Sequence, residues 1–156
     1  MSDQSEIERI RQGGLDPHLP PAKWEFEVDL GDSPDDVWER IISVVKHVVT
    51  YDYDTWPADE YWRERMPPWL MSAMMTLEEA RLATSRIPRE RWHELPWEFG
   101  SWLDAMRERD WKWWGSQRSG RRGRIVLSMT GIPPRIDALK QILLAAGAKI
   151  LSEIHD

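Results

Sequence analysis

Residues 24–30 read Trp24-Glu25-Phe26-Glu27-Val28-Asp29-Leu30 and alternate strictly between apolar and acidic side chains. Because successive side chains of a β-strand point to opposite faces of a sheet, this pattern predicts a strand with one buried and one polar face. Residues 31–36 then carry a glycine turn, a serine at the N-cap position and a proline in the first helical turn, which predict a helix start. The helix is extended by apolar residues at three- and four-residue spacing, namely Trp38, Ile41, Ile42, Val45 and Val48 or Val49.

The last third of the chain repeats this order of elements. Alternation and helical periodicity predict a strand at 125–130, a turn at 131–134, a helix at 135–146 and a strand at 148–154. The β-branched and aromatic residues at 48–54 predict one more strand. Two β-α-β halves indicate an α+β domain with the ferredoxin-like, split β-α-β arrangement, in which strand 24–30 is central. The residues that we expect to be buried beneath the helices are Trp24, Phe26, Val28, Ile41, Val45, Leu127, Leu139 and Ile142.

The domain organisation follows from what surrounds these two halves. Residues 1–22 contain two glycines and three prolines without sustained periodicity, so we expect a mobile or surface-draped arm ahead of a single domain at 23–156. Residues 56–120, between the halves, predict a helical, tryptophan-rich insertion that is much longer than an ordinary connection. Within it we expect helices at 70–86 and 97–114 and a flexible basic loop at 116–123.

Tryptophan is the most unusual feature of the composition, because the chain has 11 and nine of them fall between positions 56 and 114. A tryptophan buries a large area while keeping a polar N–H, so such a block forms either an unusual core or a recognition surface. Tryptophan, tyrosine, methionine and arginine are the residues enriched at binding interfaces, and this stretch contains all four. The composition therefore favours a protein that binds another molecule.

Charge is unevenly distributed along the 156 residues, whose formal net charge is -6. Residues 1–60 carry 15 Asp and Glu against 5 Lys and Arg, whereas residues 61–156 carry 12 against 16. An acidic surface favours a basic partner and disfavours nucleic acid. The chain has no cysteine, and its first residues are polar where a signal peptide is apolar, so we expect a cytoplasmic protein without a membrane segment.

The candidate partner-binding surface is residues 51–62, the acidic aromatic segment, in which carboxylates and aromatic rings are interleaved. Aromatic anchors supply buried area at low entropic cost, and carboxylates accept paired hydrogen bonds from arginine, which together suit a basic cleft. The alternative is that the aromatic rings pack inward while the acids only solubilise the segment. The residues of this surface are Tyr51, Asp52, Tyr53, Asp54, Trp56, Asp59, Glu60, Tyr61 and Trp62.

A second candidate surface lies at residues 111–122, where tryptophans are followed by arginines. Aromatic rings that alternate with cations are used to bind single-stranded nucleic acid, and the same groups suit a phosphate ligand. Core packing of one helix face also explains the spacing of the tryptophans, and the acidic net charge disfavours nucleic acid. The residues of this alternative surface are Trp111, Trp113, Trp114, Arg118, Arg121 and Arg122.

Catalytic chemistry has little support in the sequence. Glu25, Glu27 and Asp29 share the polar face of a predicted strand, but without a nearby His or Cys they are typical of a solvated face rather than a metal site. His93 lies beside Glu94, yet neighbouring residues of a helix point apart and no nucleophile motif accompanies them. We therefore predict no catalytic residue, no metal and no cofactor.

These patterns favour a cytoplasmic protein-binding module of the inhibitor or immunity type. Such a protein would neutralise a basic toxin or nuclease by covering it with the acidic aromatic segment, since opposite charges speed encounter and select the partner. The alternative is a small-ligand or single-stranded nucleic-acid-binding regulatory protein that uses the tryptophan- and arginine-rich insertion.

Overall fold

The structure, a computed structural model, describes residues 4–130 and 135–155. The predicted turn at 131–134, the first three residues of the predicted arm and residue 156 lie outside the described residues. The strands are β1 (Lys23–Asp29), β2 (Trp111–Ser119), β3 (Arg122–Met129) and β4 (Lys149–His155). The helices are α1 (Gln4–Gln12), α2 (Pro34–Val49), α3 (Asp59–Arg65), α4 (Pro68–Met71), α5 (Leu77–Arg86), α6 (Phe99–Arg107) and α7 (Asp137–Ala146), with a 3-10 helix at Arg89–Glu94.

The four strands form one antiparallel sheet in the order β2-β3-β1-β4. β1 is an interior strand, and its Phe26 lies between Ile125 of β3 and Glu153 of β4. The structure thus confirms an α+β fold in which the predicted strands at 24–30, 125–130 and 148–154 share one sheet.

The predicted strand at 48–54 is wrong, because Val48 and Val49 are the last two residues of α2. Both are fully buried on the face of α2 that also carries Val45, so burial extends the helix through residues whose propensity favours a strand. The sheet instead recruits residues 111–119, where we expected the end of a helix and a basic loop. The insertion therefore ends before β2 rather than at residue 120.

β2 and β3 form a hairpin, and this pairing explains why residues 111–119 are extended. Trp113 lies opposite Leu127, and Trp111 lies opposite Met129. The turn between the strands contains Gly120 with a positive φ of 59°, a conformation that glycine adopts without strain. Trp111 and Trp114 have helical spacing whereas Trp111 and Trp113 alternate, and the long-range partner strand decides between the two patterns.

The core lies between one face of the sheet and the helices. Seven of the eight residues predicted to be buried are fully so: Phe26, Val28, Ile41, Val45, Leu127, Leu139 and Ile142. Trp24 is only partly buried, because it lies near the start of β1. Its ring stacks on His155 at 4.3 Å, and its indole N–H donates to Glu153. Among the tryptophans, four are fully buried and belong to the core: Trp62, Trp102, Trp111 and Trp113.

The predicted arm at 1–22 contains a helix, α1, that contributes Ile7 and Ile10 to the core. Residues 13–22 continue across the sheet in an irregular path, so this part is draped on the surface. The carbonyl of Gly14 accepts from the backbone N–H of Ser116 at 3.1 Å, and a Cβ at Gly115 would lie 2.7 Å from the same carbonyl oxygen. Only glycine therefore fits at position 115.

Candidate partner-binding surface

The acidic aromatic segment connects α2 to α3 and includes the first residues of α3. Its aromatic rings divide between the interior and the surface. Trp62 is fully buried, whereas Tyr51, Trp56 and Tyr61 are half-buried. Tyr53 is the most exposed ring of the segment, with 53% of its surface accessible. Trp62 thus packs inward, as the alternative interpretation of the segment expects, and Tyr53 is the aromatic side chain most accessible to a partner.

The half-buried rings form a hydrogen-bonded cluster beneath the surface. The hydroxyl group of Tyr61 lies 2.9 Å from Nε2 of His47 and 2.8 Å from the hydroxyl group of Tyr51. Burial, followed by the nearby charge of Arg65, lowers the pKa of His47. The hydrogen bond with Tyr51, followed by burial, raises the pKa of Tyr61. Because both shifts favour the neutral groups at pH 7, this cluster supports the segment rather than carrying charge to a partner.

Asp52 fixes the loop that precedes α3. Its Oδ1 accepts hydrogen bonds from the backbone N–H groups of Asp54 at 3.1 Å and Thr55 at 2.9 Å, and from the Thr55 hydroxyl at 2.9 Å. The Thr55 hydroxyl in turn accepts from the backbone N–H of Asp52. A short acidic side chain that bonds the backbone two and three residues ahead is typical of a stabilised turn. Asp52 therefore shapes the surface that the neighbouring residues present.

Tyr53 is held in place by Arg107 of α6. The Arg107 guanidinium lies 4.2 Å from the centre of the Tyr53 ring, and its Nε donates to the Tyr53 carbonyl at 3.1 Å. A cation over an aromatic face is attracted by the ring quadrupole. Sequence analysis missed Arg107, since a separation of 54 positions leaves no local signal of its contact with Tyr53.

The carboxylates of Asp54, Asp59 and Glu60 are exposed, and none of them forms an ion pair within the described residues. The acidic side chains of β1 differ in this respect. Their pairs with arginines at the start of β3 or just before it are Glu25 with Arg124, Glu27 with Arg122, and Asp29 with Arg121. The carboxylates of β1 are thus neutralised on the sheet, whereas Asp54, Asp59 and Glu60 keep their charge for solvent or a partner.

The structure does not assemble the alternative surface at 111–122 as a stacking platform. Trp111 and Trp113 are each only 1% exposed, so neither can stack on a base. Trp114 is covered by the Arg9 guanidinium at 3.9 Å and donates its indole N–H to the His18 carbonyl. The three arginines of this surface each form ion pairs: Arg118 with Asp35, Arg121 with Asp29 and Asp32, and Arg122 with Glu27.

Groups suited to catalysis or metal binding do not converge in the described part of the chain. His93 is exposed on the 3-10 helix, and its neighbour Glu94 pairs with Arg91 at 2.7 Å. Residues 4–130 and 135–155 contain no group of three or more His, Cys, Asp or Glu residues placed to hold a metal ion. Across the same residues, the helices are too short or too polar to traverse a bilayer.

No protein-family model matches the chain, and no curated protein or solved structure matches it either. Its function is therefore inferred from its own residues.

Proposed function

We propose that this protein is a cytoplasmic protein-binding module of the inhibitor or immunity type, which covers a basic cleft on a toxin or nuclease. One observation carries the proposal: Tyr53 is exposed yet held by Arg107, in a segment where the carboxylates of Asp54, Asp59 and Glu60 form no ion pair within the described residues. An ordered aromatic anchor beside unpaired acids has the chemistry that an arginine- or lysine-rich cleft recognises.

The order of the segment supports this function energetically. A partner that binds a flexible loop must first order it, and that entropic cost weakens binding. Here Asp52 fixes the loop, and the cluster of His47, Tyr51 and Tyr61 supports it from below. The unpaired carboxylates would also attract a basic partner at long range and accelerate its association.

We also propose that the sheet and the two helices α2 and α7 form the ferredoxin-like arrangement. The order of elements β1-α2-β2-β3-α7-β4, with strands in the spatial order β2-β3-β1-β4, supports this assignment. In that arrangement α3 to α6 form an insertion between α2 and β2, which carries part of the acidic aromatic segment.

The proposed function is tested by charge reversal at positions that do not shape the loop. The double variant Asp54→Lys/Glu60→Lys reverses two unpaired carboxylates, whereas reversal of Asp52 would break the turn itself. The matched control is Glu39→Lys/Glu90→Lys, which makes the same charge change at two other exposed acids. Circular dichroism establishes that each variant is folded.

The immobilised wild-type chain is used to capture proteins from an extract of the source cells, and each captured protein is then purified for equilibrium titration. We expect to capture a basic partner. Its Kd should rise at least tenfold with the double variant, since like charges then face each other, whereas the control variant should bind it with the same Kd as the wild type. Added salt should slow its association. Capture of no protein, capture of acidic proteins only, or equal affinity of the double variant would contradict the proposal.

A further inference from the structure

We propose that the sheet face away from the core binds a small organic anion, a monocarboxylate with an apolar body. This face holds a cleft of about 730 Å³, within the range of small-molecule sites. Residues from all four strands line it, together with residues 14 and 15 of the N-terminal segment. The side chains that the inference uses are Leu15, Gln117, Arg122, Arg124, Ser152 and Ile154.

The cleft exists because the N-terminal segment covers only part of this face. Leu15 lies against Gly115, and Val126 in the middle of β3 is fully buried although it does not belong to the main core cluster. Beyond Leu15 the face remains open as far as Ile154 on β4, which is 51% exposed. Leu15 over β2 and Ile154 on β4 thus give the cleft an apolar side chain at each of its two sides.

Arg124 is held on this face by a carboxylate that is itself hidden. The side chain of Glu25 is only 10% exposed, and its Oε1 lies 2.5 Å from the Arg124 guanidinium and 3.4 Å from Lys23. Burial raises the pKa of Glu25, but the hydrogen bond and charge of Arg124, together with Lys23, outweigh it and leave the pKa lowered. Glu25 is therefore ionised at neutral pH and orients Arg124, while the Arg124 side chain remains 39% exposed.

Arg122 lies two residues from Arg124 on the same face of β3 and pairs with Glu27 at 2.9 Å. Within the described residues, each guanidinium donates through a single nitrogen, Nη1 of Arg122 and Nη2 of Arg124. Because a guanidinium has five N–H donors, both retain donors for a further anion. A planar carboxylate matches two of these donors at once.

The balance of exposed charge favours a singly charged ligand. Arg122 and Arg124 are exposed, Glu25 is hidden, and Glu27 is about half exposed and offsets part of the positive charge. A polyanion would meet the Glu27 carboxylate, whereas one carboxylate can bind the arginines of β3 while its apolar body extends toward Leu15 over the neighbouring strand β2. The side chains of Gln117 and Ser152 add polar groups to the lining of the cleft.

The test uses hexanoate as the probe and follows backbone amide and arginine Nε–H resonances by nuclear magnetic resonance. Acetate lacks the apolar body, 1-hexanol lacks the charge, and inorganic phosphate supplies a multiply charged anion. We expect hexanoate to shift resonances of the cleft residues with a Kd at least fivefold lower than that of each other probe. Shifts scattered over the surface, no shift, or tighter binding of phosphate or hexanol would overturn the proposal.

Variants locate the site. Arg122→Gln removes an exposed guanidinium without leaving a buried charge, and Leu15→Ser removes an apolar side chain from the lining. Each should weaken hexanoate binding at least fivefold, whereas the matched control Arg86→Gln, an exposed arginine of α5, should leave it unchanged. Equal affinity in Arg122→Gln and wild type overturns the assignment. Binding of a protein partner by the acidic aromatic segment is measured separately, so either result stands without the other.

Discussion

Glu6 shows how one buried charge joins the N-terminal helix to the sheet. Its side chain is 1% exposed, and its two carboxylate oxygens each lie 2.9 Å from a nitrogen of the Arg109 guanidinium. The backbone N–H of Trp113 donates to the same carboxylate at 2.6 Å. A buried charge is tolerated only when partners satisfy it, and here an arginine and an edge-strand amide do so.

We predict that Glu6→Gln lowers the free energy of unfolding by about 3–5 kcal/mol, because it leaves the poorly exposed Arg109 without its counter-charge. The measurement is urea unfolding followed by fluorescence. The matched control is Glu8→Gln, which removes a carboxylate of the same helix that pairs on the surface with Arg11 and should change stability by less than about 1 kcal/mol. Equal effects of the two substitutions would refute a special role for Glu6.

At the scale of elements, both edges of the sheet have features that hinder pairing with another chain. Trp113 and Ser116 of the edge strand β2 donate their backbone N–H groups to Glu6 and to the Gly14 carbonyl. α1 and the residues after it thus satisfy donors that an open edge would offer to another chain. Both edge strands also contain an irregularity, β2 in its pairing with β3 and β4 in its pairing with β1, and such a feature disrupts further pairing.

We predict that deletion of residues 1–12 makes the protein associate with itself through β2. The deletion removes Ile7 and Ile10 from the core, at about 1.5–3 kcal/mol each, and uncovers the Trp113 amide. The measurement is sedimentation at several protein concentrations. The control Glu6→Gln keeps α1 over the strand and should remain a monomer, whereas the deletion variant should form oligomers whose size increases with concentration. If the deletion variant is a monomer as stable as the wild type, α1 does not protect the edge of β2.

Sequence patterns predicted the elements whose signals are local and failed where distant residues decide. β1 and α7 carry complete patterns of their own, and both lie close to their predicted positions. α1 has only two buried isoleucines in nine residues, and its burial depends on β2, more than 100 positions away. β2 was mistaken for a helix and a loop because its alternation is short and its partner, β3, confers the strand.

On the scale of the whole molecule, the sequence revealed the amount of charge but not its pairing. The excess of acid in residues 1–60 identified a candidate surface, yet the carboxylates of β1 are neutralised by arginines about 100 positions later. Contacts between elements decide which acids remain unpaired. Such a contact also lets Arg107 order Tyr53. The segment was therefore predictable as a region, whereas the roles of Asp52 and Tyr53 within it were not.

The stability of the whole fold should fall as the pH drops below about 6.5, because of His47. Folding lowers the pKa of this histidine, first through burial and then through the charge of Arg65. At a pH below the ordinary pKa of 6.5, the unfolded chain therefore binds a proton that the folded chain does not bind. This loss continues until the pH passes the folded pKa. The lowered pKa of Glu25 acts separately, since its contribution is lost only below its ordinary value of 4.5.

We predict that urea unfolding between pH 7.5 and pH 5 shows this decline in the wild type and a smaller one in His47→Gln. Glutamine keeps a hydrogen-bonding group near the Tyr61 hydroxyl but does not titrate, so it removes the proton uptake that destabilises the folded chain. The matched control, His93→Gln, changes an exposed histidine and should decline as the wild type does. If the slope against pH is the same in all three proteins, His47 does not link protonation to folding.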